Sequence, residues 1–295
     1  MFTGLSAFPL TPTDENGIDE SAFVGLVSRL AAAGVDSIGA LGSTGGYAYL
    51  SRDERARAAR LAVEAAGTTP VIVGIGALRT RHVLEHAEDA QSAGAAAVLL
   101  APMTYQRLTD DEVFGLYDDV TARLTIPLVV YDNPGTTHVT FSEELHGRIA
   151  ALPNIGSIKI PGIAADAASA RLAALRAVVP PHVTIGISGD WLASGGLIGG
   201  ADAWYSVLAG LFPGVALKIA RAALAGDSAT ATSAAERLEP LWVLFREHGS
   251  LRVISGAAEA LHLVATPNLP RPLRGLDSAA RRELESALRG LGLDG

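Results

Sequence analysis

Lysine is nearly absent from this chain, and one of its two copies lies where a charged side chain is costly. Of the 23 Lys and Arg residues only Lys159 and Lys218 are lysines. Lys159 falls within Ile155-Gly156-Ser157-Ile158-Lys159-Ile160, an apolar run that reads as a buried strand. Burying an ammonium costs several kcal/mol unless something compensates. A desolvated lysine therefore loses its proton more easily and becomes a nucleophilic amine. The chemistry that needs such an amine is imine formation with a carbonyl substrate. The competing reading is a strand-end lysine whose ammonium reaches back to solvent.

Three further segments carry groups that suit a small carbonyl acid. Gly42-Ser43-Thr44-Gly45-Gly46 offers free backbone N–H groups and two adjacent hydroxyls just before a helix start at Ser51. Such a turn can cradle a carboxylate, and without a following Gly-Lys-Ser/Thr it is not a Walker loop. Tyr131-Asp132-Asn133-Pro134-Gly135-Thr136-Thr137 places a phenol on the last residue of an apolar run, where it can relay protons. It can equally be a core tyrosine with a backbone partner. Ser188-Gly189-Asp190-Trp191 and Ser206-Val207-Leu208-Ala209-Gly210 each follow another apolar run. Asp190 either caps the next helix or lines the site, and the carbonyls around Val207 can face a substrate. Period-two alternation puts Ser157 and Lys159 on one face and Ile158 and Ile160 on the other. His82-Val83-Leu84-Glu85-His86 spells an inverted zincin motif, but it lies on a helix expected outside the sheet, so no metal is assigned to it.

What must position these residues is a regular alternation. Short apolar runs at Leu5–Pro9, Ser37–Leu41, Val71–Gly74, Ala97–Leu100, Leu128–Tyr131, Ser157–Ile160, Thr184–Ser188 and Ala203–Val207 read as buried parallel strands. Between them lie Ala- and Leu-rich stretches, clearest at Asp19–Ala33, Ser51–Ala66, Thr80–Ala93 and Asp110–Arg123. Ser51 and Glu54 fit a capping box. The pattern predicts an α/β fold, a (β/α)8 TIM barrel with a C-terminal helical extension, and an open doubly wound sheet is the alternative. Residues 1–225 are assigned to the barrel that carries the site and 226–295 to the helical region, with helices after Phe212, over Ala229–His248, Val253–Leu263 and Ser278–Leu291. In a barrel the functional residues sit at the C-terminal strand ends. Tyr131 precedes Lys159 by one repeat, so the two are expected to end neighbouring strands and converge.

Composition narrows the function. The formal net charge of −8 offers no basic patch for nucleic acid or an anionic membrane. The absence of cysteine removes disulfide scaffolds, thiol catalysis and thiolate metal sites. Met1–Leu10 lacks a charged n-region with a long apolar core, and no run reaches the length of a membrane span. A cytoplasmic protein is expected.

Taken in order, Gly42-Ser43-Thr44-Gly45, Tyr131-Asp132-Asn133-Pro134, Ile158-Lys159 and Ser188-Gly189-Asp190 resemble the dihydrodipicolinate synthase / N-acetylneuraminate lyase family over nearly the whole chain. The resemblance implies a class I lyase or aldolase that forms an imine between Lys159 and pyruvate or a related 2-oxo acid, needing no metal or organic cofactor. Tyr131 would relay protons, and Ser43, Thr44 and Gly45 would hold the carboxylate. Gly189, Asp190 and a carbonyl near Val207 would line the site. It also implies a homotetramer or dimer, and an aldehyde or sugar acid as second partner. Three positions depart from the synthase pattern: Thr136 stands where an Arg grips the second substrate, Asp132 where Asn is usual, and Gly46 where Glu is usual. Pro102-Met103-Thr104-Tyr105 replaces a tyrosine pair, so the relay is either altered or supplied by Tyr105. A neutral Thr cannot reproduce a bidentate Arg–carboxylate grip, so the second substrate is left unassigned. The synthase reaction with aspartate semialdehyde is the alternative, and a catalytically silent carboxylate-binding barrel is the reading from a different class.

Overall fold

Eight parallel strands close into a barrel in the computed structural model, which describes residues 1–294. We number them β1 (Gly4–Ala7), β2 (Ser37–Ala40), β3 (Val71–Gly74), β4 (Ala97–Leu100), β5 (Leu128–Tyr131), β6 (Ile155–Ile160), β7 (Thr184–Ile187) and β8 (Ala203–Ser206). The ring closes where β1 pairs with both β8 and β2. An open sheet would have two edge strands with one neighbour each, whereas all eight strands here have two, so the doubly wound alternative is excluded. All eight expected strands are present, most within one or two residues of the expected ends.

Side-chain alternation divides two apolar layers. Outward residues such as Ile158 and Ile160 join the large core shared with the helices. Inward residues, among them Ile72, Leu99, Val129, Tyr131 and Tyr205, fill the barrel together with Phe8 from just beyond β1. Two glycines make room for the rings. A Cβ on Gly39 would stand 2.3 Å from the Phe8 ring, and one on Gly186 2.3 Å from the Tyr205 ring. The barrel floor is polar: Ser37 and Ser6 hydroxyls bond at 2.9 Å, and Ser157 and Tyr205 hydroxyls at 2.7 Å.

The helices cover this barrel much as the sequence pattern anticipates. Helix Arg52–Ala66 opens with the expected capping box, the Ser51 amide donating to Glu54 at 2.7 Å and the Glu54 amide to Ser51 Oγ at 3.3 Å. One expectation fails: residues 229–248 are two helices, Ser228–Glu236 and Glu239–His248. Pro240 lacks an N–H and tolerates only the first turn of a helix, so the chain restarts there. The expected helix Val253–Leu263 runs instead over Ser250–Ala260, while Ser278–Leu291 is as expected. A short antiparallel pair, Thr13–Asp14 with Gly17–Ile18, was not anticipated.

The C-terminal helices share one continuous core with the barrel helices, through Leu241, Trp242, Phe245 and Leu284. Their Pro-rich connection is tied down by Asn268. Its side chain accepts from Ser255 at 2.9 Å and donates to Glu259 at 2.8 Å, while its carbonyl accepts from the Thr13 amide at 3.0 Å. That anchorage brings the start of helix Ser250–Ala260 to the rim of the barrel mouth.

Candidate active site

Register decides the meeting of the two chemical side chains. Tyr131 and Lys159 are direct partners across β5 and β6, both facing inward at the C-terminal ends of their strands. Lys159 is 4% exposed, whereas Lys218 lies on the exposed face of helix Pro213–Leu224. The Lys159 amine sits 3.9 Å from the centre of the Phe8 ring, 4.1 Å from Tyr131 and 5.6 Å from Tyr205. Water is thus replaced by aromatic surface. Burial brings the lysine down from 10.5 to about 7, against a weaker pull in the opposite direction from the Asp190 carboxylate. A substantial fraction of the amine is neutral at neutral pH.

The Tyr131 phenol is buried as well, which raises its pKa. Hydrogen bonds with Ser43 and Asn133 work against that rise, Asn133 Nδ2 donating to the phenol oxygen at 2.9 Å. Asn133 also donates to Thr136 Oγ1 at 2.9 Å. The amine lies over the face of the Tyr131 ring, 4.1 Å from its centre, and the phenol oxygen has hydroxyl and amide partners.

The loop after β2 is shaped by close backbone approach. Leu41 takes a left-handed φ of 57°, rare for a branched side chain. The resulting chain reversal carries Leu41 over the end of β3, where a Cβ on Gly74 would lie 1.8 Å from the Leu41 carbonyl oxygen. Only glycine at 74 allows that approach. Thr44 is consequently buried, with Ser43 turned to the Tyr131 phenol. Arg55 braces the same rim from below. Its buried guanidinium donates to the Gly76 and Gly74 carbonyls, both at 2.9 Å, and lies 5.2 Å from the Tyr47 ring centre. A cleft of about 460 Å³ opens above, bounded by Ser43, Thr44, Tyr49, Met103, Thr136 and Leu251. None of its lining residues is a lysine or an arginine.

The remaining sequence-derived candidates divide. Asp190 lies beneath the mouth rather than in it. Its carboxylate accepts from Trp204 Nε1 at 2.8 Å and from the Val207 and Leu208 amides at 3.1 and 3.0 Å. It does not cap a helix with its side chain. It instead fixes the β8 exit, where the Val207 carbonyl accepts from the Gly210 amide at 3.0 Å. Gly189 takes a φ of 75° that glycine alone adopts freely, beside Gly162. Gly45 packs on the Leu41 backbone, where a Cβ would sit 2.9 Å away. Tyr105 is 91% exposed and its ring is not part of the buried cluster. On the outer helix, His82 accepts from Arg81 and Glu85 faces Arg52 at 3.6 Å. Among the described residues no three or more metal-ligating side chains converge.

Sequence reasoning missed Phe8, Tyr205, Arg55 and a buried pair formed by Asp132 and His146. Phe8 and Tyr205 reach Lys159 only because the ring closes through β1 and β8. Asp132 was noticed as a departure from a family pattern, but its partner lies on a helix whose inner face no local motif marks.

An inward, desolvated lysine paired with a tyrosine at the mouth of a parallel barrel defines a lyase of the class I, Schiff-base-forming kind. The chain belongs to the dihydrodipicolinate synthetase family, whose profile matches residues 1–291. It is 31% identical over 296 residues to a 4-hydroxy-tetrahydrodipicolinate synthase of Phenylobacterium zucineum, covering 99% of this chain and 98% of that one. A Methylococcus capsulatus protein of the same name is 32% identical, covering 99% and 100%. Among solved structures, a dihydrodipicolinate synthase from Agrobacterium tumefaciens superposes with a TM-score of 0.95 at 47% identity, covering 98% of each chain. A chloride-inhibited dihydrodipicolinate synthase from Acinetobacter baumannii, complexed with pyruvate, superposes at 0.92 with 26% identity, covering 99% and 100%.

Proposed function

We propose that Lys159 forms a Schiff base with pyruvate or a related 2-oxo acid, and that the site then makes or breaks a C–C bond to an aldehyde or sugar-acid partner. The observation that carries this reading is the desolvated amine held about 4 Å from the Tyr131 ring. The neutral amine attacks the ketone carbon, forming a C–N bond. Tyr131 delivers protons to the former carbonyl oxygen, which leaves as water. The resulting cationic imine withdraws electrons, so the neighbouring carbon gives up a proton to the Tyr131 oxygen and becomes an enamine nucleophile. That carbon bonds to the aldehyde, and Tyr131 returns a proton to the new alkoxide. The reverse sequence cleaves the bond. Ser43, Thr44 and Gly45 hold the carboxylate of the 2-oxo acid, with Gly189 and the Asp190-braced Val207 segment forming the opposite wall.

The second partner is the point at which this chain parts from the relatives described above. Their name supports condensation of pyruvate with aspartate semialdehyde as a second reading. Against it, the exposed Thr136 occupies the arginine position, and among the described residues no arginine lines the cleft above the reacting pair. Tyr105, exposed in the single chain, would join the relay only in a dimer or homotetramer. No helix is long and apolar enough to cross a membrane among the described residues, in keeping with a cytoplasmic location.

Borohydride reduction in the presence of pyruvate tests the reading. A stable adduct on Lys159, absent from Lys159→Ala, is expected. Pyruvate binding with no trapped adduct refutes it and leaves a silent carboxylate-binding barrel. Efficient wild-type condensation with aspartate semialdehyde would overturn the interpretation of Thr136. Thr136→Arg alone is not expected to create that activity.

A further inference from the structure

Immediately behind the reacting pair lies a second buried pair for which the chemistry above has no use. Asp132 follows Tyr131 directly and is 5% exposed. Its amide donates to the Lys159 carbonyl at 2.9 Å, so its backbone joins the ends of β5 and β6. Its side chain turns outward to helix Glu143–Ala150, where His146 is fully buried. His146 Nε2 lies 3.3 Å from Asp132 Oδ2. The imidazole stacks on Phe141 with ring centres 5.2 Å apart. Neither ring nitrogen makes a hydrogen bond, so the 3.3 Å approach to Asp132 is the nearest polar contact of the imidazole, and Asp132 Oδ1 has no partner. The other titratable groups around the pair are Tyr117, whose hydroxyl is engaged by the Leu100 carbonyl at 2.8 Å, Tyr131 and, across β6, Lys159. Tyr117 and Tyr131 both feel the Asp132 charge. Each member of the pair therefore has only the other to balance it.

We propose that His146 is a positioning residue for the Tyr131–Lys159 pair, acting as the buried polar partner of the Asp132 carboxylate. A buried carboxylate without a partner either takes up a proton or pulls its segment toward solvent. Here that segment is the end of β5. With the imidazole 3.3 Å away, the carboxylate has a polar neighbour inside the protein. Asp132 stays in place, its amide stays on the Lys159 carbonyl, and Tyr131 keeps its register with the amine. The inference rests on the proposed imine chemistry, since it assigns His146 to the residues that perform it.

A charge-rescue cycle tests it, using the full-length protein. Three variants are compared with wild type: His146→Leu, Asp132→Asn, and the double variant. The readouts are the borohydride trapping rate as a function of pyruvate concentration, separated into its maximum and its half-saturating concentration, and the melting temperature. His146→Leu leaves a stranded carboxylate. It is expected to lower the maximal trapping rate on the order of ten- to a hundredfold, a scale typical of misplaced proton-transfer groups, with the half-saturating pyruvate concentration little changed. The double variant has lost the imidazole but also the charge, and should recover most of that rate. A double variant as slow as His146→Leu would show that the imidazole serves packing alone and would overturn the proposal. If His146→Leu does not fold, the double variant must still fold and trap pyruvate within a few-fold of Asp132→Asn. If it does not, the proposal fails. Trapping on wild-type Lys159 reports separately on the imine reading, so failure of the two ideas is distinguishable.

Discussion

Phe8 is the most direct probe of why Lys159 is reactive. Its ring is the nearest of the three, 3.9 Å from the amine, and it comes from outside every motif that marks the site. A lysine brought from 10.5 to about 7 is roughly half neutral at pH 7, against about three in ten thousand for a free side chain. Burial therefore supplies on the order of a thousandfold more nucleophile, equivalent to about 4–5 kcal/mol. Phe8→Ala opens a ring-sized space between Gly39 and Gly42, whose backbones pack against that ring, and admits water beside the amine. If one ring of three carries about a third of the shift, the pKa rises by about one unit and the neutral fraction at pH 7 falls to about a tenth. The assay is the initial rate of reductive trapping with pyruvate from pH 6 to 10, normalised to a free lysine analogue. Because Phe→Ala in a core costs about 3–5 kcal/mol, folding is verified by circular dichroism at each pH. The wild-type rate should rise through a midpoint near 7, and the variant through a midpoint about one unit higher, the two converging at alkaline pH. A wild-type midpoint near 10, or an unmoved midpoint in a folded variant, would refute desolvation as the origin of the reactivity.

Lys159→Met should abolish the adduct yet raise the melting temperature. The folded pKa lies below the unfolded one, so the cost of the lysine is full below about pH 7 and fades as pH approaches 10.5. The gain should accordingly be larger at pH 6 than at pH 9, and calorimetry at both decides it. Tyr131→Phe should lower kcat on the order of a hundredfold or more while still giving a pyruvate adduct mass on long incubation, because the amine remains and only the proton relay is lost. Gly74→Ala forces the Leu41 carbonyl out of the space it occupies and shifts the Ser43–Thr44 turn. KM for pyruvate should rise on the order of tenfold, about 1.4 kcal/mol of lost carboxylate binding. An unchanged KM would remove that turn from the carboxylate site.

Local patterns were enough to locate the strands, and with them the face of each side chain. Ser157-Ile158-Lys159-Ile160 shows why: alternation is a property of the backbone, so two flanking isoleucines in the helix layer put Lys159 inside without further information. The spacing of one repeat likewise made Tyr131 its neighbour, and register confirmed it. The break at Pro240 was also legible, since proline supplies no helical donor, although the surrounding Ala- and Leu-rich stretch obscured it. Asp190 was visible as a strand-end acid. Its choice between lining the mouth and holding backbone was not, because the amides it binds belong to the next strand's exit.

The sequence by itself determined that a lysine is buried, that a tyrosine ends the adjoining strand, and that hydroxyls and glycines follow another strand in the same barrel. Each of these is a short-range fact, written in periodicity and spacing. Ring closure and helix packing decided the rest: the Phe8 and Tyr205 rings that exclude water from the amine, the Arg55 brace beneath the rim, and the meeting of Asp132 with His146. These contacts join segments remote in the chain or on different layers. They depend on how far each strand is staggered when the barrel shuts, a quantity that no local pattern carries.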